Sequence, residues 1–259
     1  MNQQSVATTA QVASFYDEFS QRLLNDYLTG NPRFERAAAR VLASIGPETR
    51  TVLDMGCGAG VSSMLIKQAY PHVQVTGVDI SPENIRIARS LFADRGIEFK
   101  VSDLRDEDVV GKYDLIAMVD VHEHIPRGDW QSFHQSLREL LSKRGKLVIT
   151  YPSEMHQEYL ADHDPEGLQV VDETIRLADL QEMERRIDAR LVTFAYVTIW
   201  ARYDYVHAVF DRDLERREAS MEKRSFIDRV VNRLRRRWQG YSRRRYVDAR
   251  LKRLTDSCS

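Results

Sequence analysis

One stretch decides the fold of this chain: Val52-Leu53-Asp54-Met55-Gly56-Cys57-Gly58-Ala59-Gly60. A short apolar run ends at Asp54, and three glycines follow at alternate positions. Glycine adopts backbone conformations that are costly for other residues, and it lets the main chain approach a ligand closely. The stretch therefore predicts a strand that turns tightly into a helix, with a ligand held at the turn.

Strand-like and helix-like segments alternate after this turn. Strand patterns cover 73–79, 97–101, 113–119 and 146–151, and helix patterns cover 61–70, 82–92 and 130–141. Strands separated by helices predict right-handed crossovers and a parallel, doubly wound sheet of the α/β class. Beyond a helix at 175–187, two close strand-like runs at 191–200 and 203–210 predict an antiparallel hairpin at the sheet edge.

Three carboxylates follow the first three strands and indicate the kind of ligand. A dinucleotide fingerprint needs its last glycine at position 61, where Val61 stands. Asp54 would repel a phosphate but tolerate a cationic or hydroxylated ligand. Asp79 can accept both hydroxyls of a ribose, and Asp103 can accept an exocyclic amine. Together these strand ends favour a nucleoside with a positive centre and no pyrophosphate.

The order of these motifs resembles the class I S-adenosylmethionine-dependent methyltransferases over about residues 45–152. The matching segments are Val52 to Gly60, Asp79, Ser102-Asp103-Leu104 and Tyr113 to Ala117. The resemblance implies a Rossmann-like sheet of seven strands, one of them antiparallel, with S-adenosylmethionine lying across the carboxyl ends of the strands. It implies cofactor contacts from Asp54, Gly56, Cys57, Gly58, Gly60, Asp79, Ile80, Asp103, Leu104 and Asp120.

A segment rich in titratable groups, Asp120-Val121-His122-Glu123-His124, follows the fourth strand. It resembles the Glu-x-x-Glu-His motif of ubiquinone-pathway O-methyltransferases and small-RNA 2′-O-methyltransferases, with Asp120 in place of the first Glu. In those families the motif helps to bind a divalent ion. The implied ligands of Mg²⁺ or Mn²⁺ are Asp120, Glu123, His124 and a further histidine from the connection after the next strand. That connection contains His156 and His163, of which His163, between Asp162 and Asp164, is the better candidate.

Two other roles for this segment stay open. Without a metal, His124 or His122 can act as a general base, because the pKa of histidine lies near neutrality, and Glu123 is a further catalytic candidate. Alternatively, the segment only packs against the cofactor pocket. Both chemical hypotheses share His124.

Composition bounds the class of protein. Of the residues, 42% are hydrophobic, and no stretch approaches the roughly 18 to 20 apolar residues that cross a bilayer. Two cysteines, Cys57 and Cys258, cannot build a disulfide framework, so we expect a reducing, cytoplasmic setting.

We predict an N-terminal helical cap at 1–48, a cofactor-binding domain at 49–212 with a lid-like insertion at 152–188, and a C-terminal tail at 213–259.

The predicted tail differs from the rest of the chain in charge. Residues 1–210 contain 22 Lys and Arg against 31 Asp and Glu, whereas residues 211–259 contain 16 against 8. Residues 226–254 predict a basic amphipathic helix. Such a helix can pack on the acidic body of the protein or on a second copy in a homodimer. The second choice is contact with a membrane surface, which would make the protein peripheral. The third choice is binding to nucleic acid.

The favoured function is O-methylation of a hydroxylated small-molecule or glycan-type acceptor. One rival is an RNA methyltransferase that uses the basic tail. Another rival is a regulatory or assembly protein that binds S-adenosylmethionine without catalysis.

Overall fold

The computed structural model describes residues 25, 29–103, 109–165, 168, 169 and 171–213, and the predicted tail helix at 226–254 lies outside them. Seven strands form one sheet. They are β1 (Thr51–Met55), β2 (Gln74–Asp79), β3 (Ile97–Val101), β4 (Tyr113–Val119), β5 (Leu141–Pro152), β6 (Arg190–Val197) and β7 (Tyr205–Asp211). The described helices are α1 (Pro32–Ser44), α2 (Val61–Ala69), α3 (Pro82–Phe92), α4 (Trp130–Leu140), α5 (Glu154–His163) and α6 (Leu177–Ile187).

The strand order, β3-β2-β1-β4-β5-β7-β6, confirms the predicted doubly wound α/β fold. β1 to β5 run parallel, while β7 pairs antiparallel with both β5 and β6. From β1 the chain continues to β2 in one direction along the strand order, and from β4 it continues to β5 in the opposite direction. These two strands are neighbours, so their carboxyl ends border the crevice where open α/β sheets bind ligands.

Two apolar clusters cover the faces of the sheet. One cluster joins α1, α2 and α3 to the sheet through residues such as Val41, Ile66 and Leu91. The other cluster joins α4 and α6 through residues such as Phe133 and Met183. Because parallel strands are buried on both faces, β1 and β4 read as nearly continuous apolar runs, which is why the sequence predicted them well.

The region after β5 differs from a simple insertion. α6 buries Leu180, Met183 and Ile187 in the second cluster, so it forms part of the core. α5, in contrast, buries only Gln157. The predicted lid-like insertion at 152–188 thus contains one core helix and one superficial helix, and its role as a lid stays a prediction. Within the described ranges, no helix is long and apolar enough to cross a membrane.

Candidate functional site

The turn between β1 and α2 needs its glycines. Gly56, Gly58 and Gly60 have φ values of +67°, +53° and +80°, a region that side chains disfavour. A Cβ atom on Gly56 would lie 2.3 Å from Cγ2 of Val121. The buried Cys57 ties the turn to β2, since its backbone N–H donates to the carbonyl of Val78 at 2.9 Å. The sequence prediction of a tight, glycine-dependent turn is confirmed.

Asp54 holds the start of α2 against this turn. Its Oδ2 accepts hydrogen bonds from the hydroxyls of Ser62 and Ser63 at 2.5 and 2.6 Å. Burial raises the pKa of Asp54 to about 6, although both hydroxyls lower it. Its visible role is to brace the turn, and the contact with the methionine end of a cofactor stays a prediction.

Asp79 joins the end of β2 to the glycine turn. Its Oδ2 accepts the backbone N–H of Gly58 at 2.8 Å, and its Oδ1 accepts the backbone N–H of Ser81 and the side-chain amide of Asn84. A carboxylate at the end of the second strand is the group predicted to accept the ribose hydroxyls, and that role of Asp79 stays a prediction.

Other predicted cofactor residues lie around Asp79. The half-buried Ile80 follows it directly. The backbone N–H of Ser102 donates to the carbonyl of Asp79 at 2.9 Å, which places the half-buried Asp103 beside the same strand end. Leu104 lies outside the described residues.

Asp120 begins the turn after β4 and faces the first helix. Its φ is +55°, and its backbone N–H donates to the carbonyl of Thr150 at 2.9 Å. Its carboxylate forms an ion pair with Arg33 of α1, which also donates to the Tyr205 hydroxyl at 3.4 Å. Burial raises the pKa of Asp120, and the Arg33 charge opposes that shift. The N-terminal end of α1 is therefore fixed over the carboxyl ends of the strands.

His124 is held in one tautomer. Its Nδ1 lies 2.8 Å from the carbonyl oxygen of Val171, and a carbonyl can only accept, so Nδ1 carries the proton. The Nε2 atom of the neutral ring is then a base, 3.8 Å from Oε1 of Glu123. Burial lowers the pKa of His124 below its ordinary 6.5, which keeps the ring neutral at pH 7.

Glu123 is a buried carboxyl group beside this imidazole. Its side chain is 1% exposed, and neither oxygen accepts a hydrogen bond within the described part of the chain. Burial, and then the charge of Asp120, raise its pKa well above the ordinary value. The charged form of this carboxyl group is therefore disfavoured in the folded protein.

His122 occupies a different environment. Its Nε2 lies 2.8 Å from Nε2 of His134 on α4, and its ring packs 4.8 Å from that of Trp130. Burial lowers its pKa well below 6.5. The structure therefore groups His122 with α4, and its catalytic role stays a prediction without support from this packing.

The four predicted metal ligands are not all brought together. Asp120, Glu123 and His124 share the turn after β4, but His163 lies exposed on α5, where its ring stacks on Tyr159 with centroids 4.4 Å apart. In the ranges that the structure describes, no group of three or more His, Cys, Asp and Glu side chains is arranged to hold a metal ion. The predicted site for Mg²⁺ or Mn²⁺ is thus incomplete there.

Sequence reasoning missed Arg33, Val171 and Asp172 as parts of this site. Oδ1 of Asp172 accepts the amide of Gln157 at 2.8 Å and lies 3.8 Å from Nδ1 of His124. No sequence pattern marks these residues, because Arg33 is far away along the chain and Val171 contributes a backbone atom.

Comparison with known proteins agrees with this geometry. Residues 52–145 match the family model of a methyltransferase domain. Over 127 residues the chain is 33% identical to trans-aconitate 2-methyltransferase of Escherichia coli, covering 49% of each protein. It is 27% identical over 164 residues to a ubiquinone biosynthesis O-methyltransferase of Xanthomonas axonopodis pv. citri, covering 58% of this chain and 67% of that protein. The match thus spans about half the length of the trans-aconitate enzyme.

Solved structures share the fold at low identity. Magnesium protoporphyrin IX methyltransferase from Synechocystis PCC 6803 with bound SAH has a TM-score of 0.64 at 18% identity, covering 79% of this chain and 99% of that one. A putative methyltransferase in complex with the Haloferax volcanii Trm112 activator has a TM-score of 0.63 at 15% identity, covering 80% and 100%. Motif order, strand topology and the matched residues agree, and together they support a methyltransferase domain of the class I S-adenosylmethionine-dependent type that includes residues 52–145.

Proposed function

We propose that this protein transfers the methyl group of S-adenosylmethionine to a hydroxyl group of a small-molecule or glycan-type acceptor. The observation that carries the proposal is the hydrogen bond from Gly58 to Asp79, which joins the glycine turn to the carboxylate that we assign to the ribose. His124 stands at the carboxyl end of β4, next to β1, and so belongs to the same edge of the sheet.

Each residue has a separable task in this proposal. The bound cofactor supplies a methyl group on a sulfonium, an electrophile that carries its own leaving group. Asp79 and the turn of Gly56, Gly58 and Gly60 hold and orient the cofactor. His124 takes the proton of the acceptor hydroxyl at Nε2, because the hydrogen bond to Val171 leaves that nitrogen as the base.

The surroundings of His124 support a base rather than a cation. A protonated ring would lie in a buried place, and burial opposes that charge. The proton received at Nε2 would therefore pass on readily, and the carboxylate of Asp172, 3.8 Å from Nδ1, would stabilise the transient cation.

The test uses the full chain, S-adenosylmethionine and a panel of hydroxylated acceptors, with product detection by mass spectrometry. We expect a methylated product with the unaltered protein and a loss of about 10²- to 10⁴-fold in kcat with His124→Gln, as is typical when a general base is removed. His163→Gln, on the exposed face of α5, is the matched control and should retain activity. Cofactor binding without product from any acceptor would instead support a non-catalytic role.

A further inference from the structure

A second polar cluster lies under α1, apart from the turn that carries His124. Arg33, Arg36 and Arg40 are spaced by three and four residues, so they share one side of this helix. Arg33 is paired with Asp120. Arg36 and Arg40, in contrast, have no carboxylate within ion-pair distance among the described residues, and Nε of Arg40 is buried without a hydrogen-bond acceptor there.

Two buried side chains of the sheet lie on the same side as α1. Thr150 of β5 and His207 of β7 are directly opposite each other in the antiparallel register. Side chains alternate along a strand, and Val148 and Val209, two residues away, belong to the cluster that α1 covers. Thr150 and His207 are 1% and 3% exposed, yet the Thr150 hydroxyl and Nε2 of His207 have no partner in the described structure.

The positive charges of Arg36 and Arg40 on α1 act on His207. Burial, followed by the charges of Arg40 and Arg36, lowers the pKa of His207 to about 4. The His207 ring is therefore neutral at physiological pH, and its Nε2 can carry a proton that it donates. The two guanidinium groups are fixed donors, and the threonine hydroxyl can also donate.

Buried polar atoms in folded proteins nearly always have partners. Nε of Arg40, the Thr150 hydroxyl and Nε2 of His207 have none among the described residues, which needs an explanation. A ligand that satisfies them must be rich in acceptors and negatively charged. We propose that Arg36, Arg40, Thr150 and His207 form a binding site for an oxyanion, either a phosphate or a carboxylate group. Guanidinium groups match the geometry of both anions.

The position of this oxyanion site relates it to the acceptor. The carbonyl of Thr150 accepts the backbone N–H of Asp120, and Arg33, one turn before Arg36, contacts Asp120 and Tyr205. The oxyanion site therefore borders the edge at which methyl transfer is proposed. Resting on that proposed function, we assign the oxyanion to the acceptor, which would carry a phosphate or carboxylate group in addition to its reacting hydroxyl.

Binding of inorganic phosphate to the full chain, measured by calorimetry at constant ionic strength, tests the oxyanion site. We expect Arg40→Gln to weaken phosphate binding about tenfold or more, as loss of a charge-assisted hydrogen bond does, and the exposed Arg36→Gln to weaken it less. Thr150→Val, which keeps the side-chain shape, should weaken it severalfold. Lys143→Gln removes one exposed charge elsewhere and should leave it unchanged.

The affinity for S-adenosylmethionine, measured on the same variants, separates this inference from the proposed function. We expect it to stay unchanged in all of them. Phosphate binding that is absent, or equal in Arg40→Gln and Lys143→Gln, would overturn the oxyanion site even where cofactor binding and methyl transfer are intact. If phosphate binds as expected but phosphorylated and carboxylated acceptors have no advantage in kcat/KM over their uncharged counterparts, the assignment of the oxyanion to the acceptor is overturned.

Discussion

Nδ1 of His124 donates to the carbonyl oxygen of Val171 at 2.8 Å, across 47 residues of sequence. This bond does more than fix a ring, because it joins the turn after β4 to the segment that precedes α6. The backbone N–H of Glu173, which donates to the carbonyl of Glu123 at 2.7 Å, makes the same connection. The proposed base is therefore oriented by a segment far from it in the chain.

The first prediction concerns the pH dependence of turnover. A base must be unprotonated, and burial holds the pKa of His124 below 6.5. We expect kcat to be constant through neutral pH and to fall only as the pH drops below 6.5, through the pKa of His124. Initial rates at saturating cofactor between pH 5 and 8 measure this profile. A rate that rises as the pH is lowered from 7 would contradict the assignment.

A second prediction concerns stability. The pKa of His134 is lowered to about 4 by burial, whereas an unfolded histidine has a pKa near 6.5. Below pH 6.5 the unfolded chain therefore binds the proton first, and the folded protein loses stability until about pH 4. By pH 5 this loss is about 2 kcal/mol relative to pH 8. In His134→Gln, the free energy of unfolding should not show this loss between pH 8 and pH 5.

Urea denaturation at both pH values, compared between the unaltered protein and His134→Gln, measures this difference. The carboxyl group of Asp54 titrates in both proteins, so its effect cancels in the comparison. Exposed His72→Gln provides the control. Equal pH dependence in His134→Gln and the unaltered protein would show that His134 does not carry the effect.

The third prediction concerns the glycine turn. Gly56→Ala places a methyl group at φ +67° and 2.3 Å from Val121. A left-handed conformation alone costs alanine about 1 to 2 kcal/mol, and the clash adds to it. We expect Gly56→Ala to lower the free energy of unfolding by at least about 2 kcal/mol. Gly46→Ala, where a Cβ atom meets nothing within 4 Å, should be nearly neutral by the same denaturation assay.

A fourth prediction concerns Asp79. Asp79→Asn removes the charge that Gly58, Ser81 and Asn84 contact, and it replaces one acceptor oxygen by a donor. Affinity for S-adenosylmethionine should fall about tenfold or more in calorimetry, as for other charge-assisted hydrogen bonds. Asp162→Asn, on the exposed side of α5, serves as the control. Unchanged affinity in Asp79→Asn would remove this carboxylate from the cofactor site.

The fifth prediction separates the two chemical hypotheses for the turn after β4. With His163 apart from Asp120, Glu123 and His124 in the described structure, we expect turnover to persist in excess EDTA. Added Mg²⁺ or Mn²⁺ should leave kcat unchanged. Loss of activity in EDTA that is restored by either ion would establish the metal hypothesis and change the role of His124 from base to ligand.

The sequence predicted those parts of the molecule that depend on local pattern. The turn from Asp54 to Gly60 and the carboxylate of Asp79 follow from residue types at fixed spacing. The hairpin of β6 and β7 follows from two adjacent β-rich runs. Each of these features is specified by neighbours within a few residues, so one chain suffices to find it.

The remaining parts of the site depend on contacts that have no local signature. Arg33 meets Asp120 across 87 residues, and nothing in its neighbourhood distinguishes it from the other arginines of the chain. His122 and His124 are two residues apart, yet a short 3₁₀ turn directs the first toward His134 and the second toward Val171. Sequence reasoning could nominate both histidines but had no means to separate them.

The hydrogen bond between Gly58 and Asp79 has a consequence for partial ligands. On the proposed binding mode, one carboxylate recognises the sugar and also braces the loop beneath the amino-acid half of the cofactor. Because this bond is already formed in the structure, the loop needs no ordering when either half arrives, so adenosine and methionine, offered as separate fragments, would bind independently of each other.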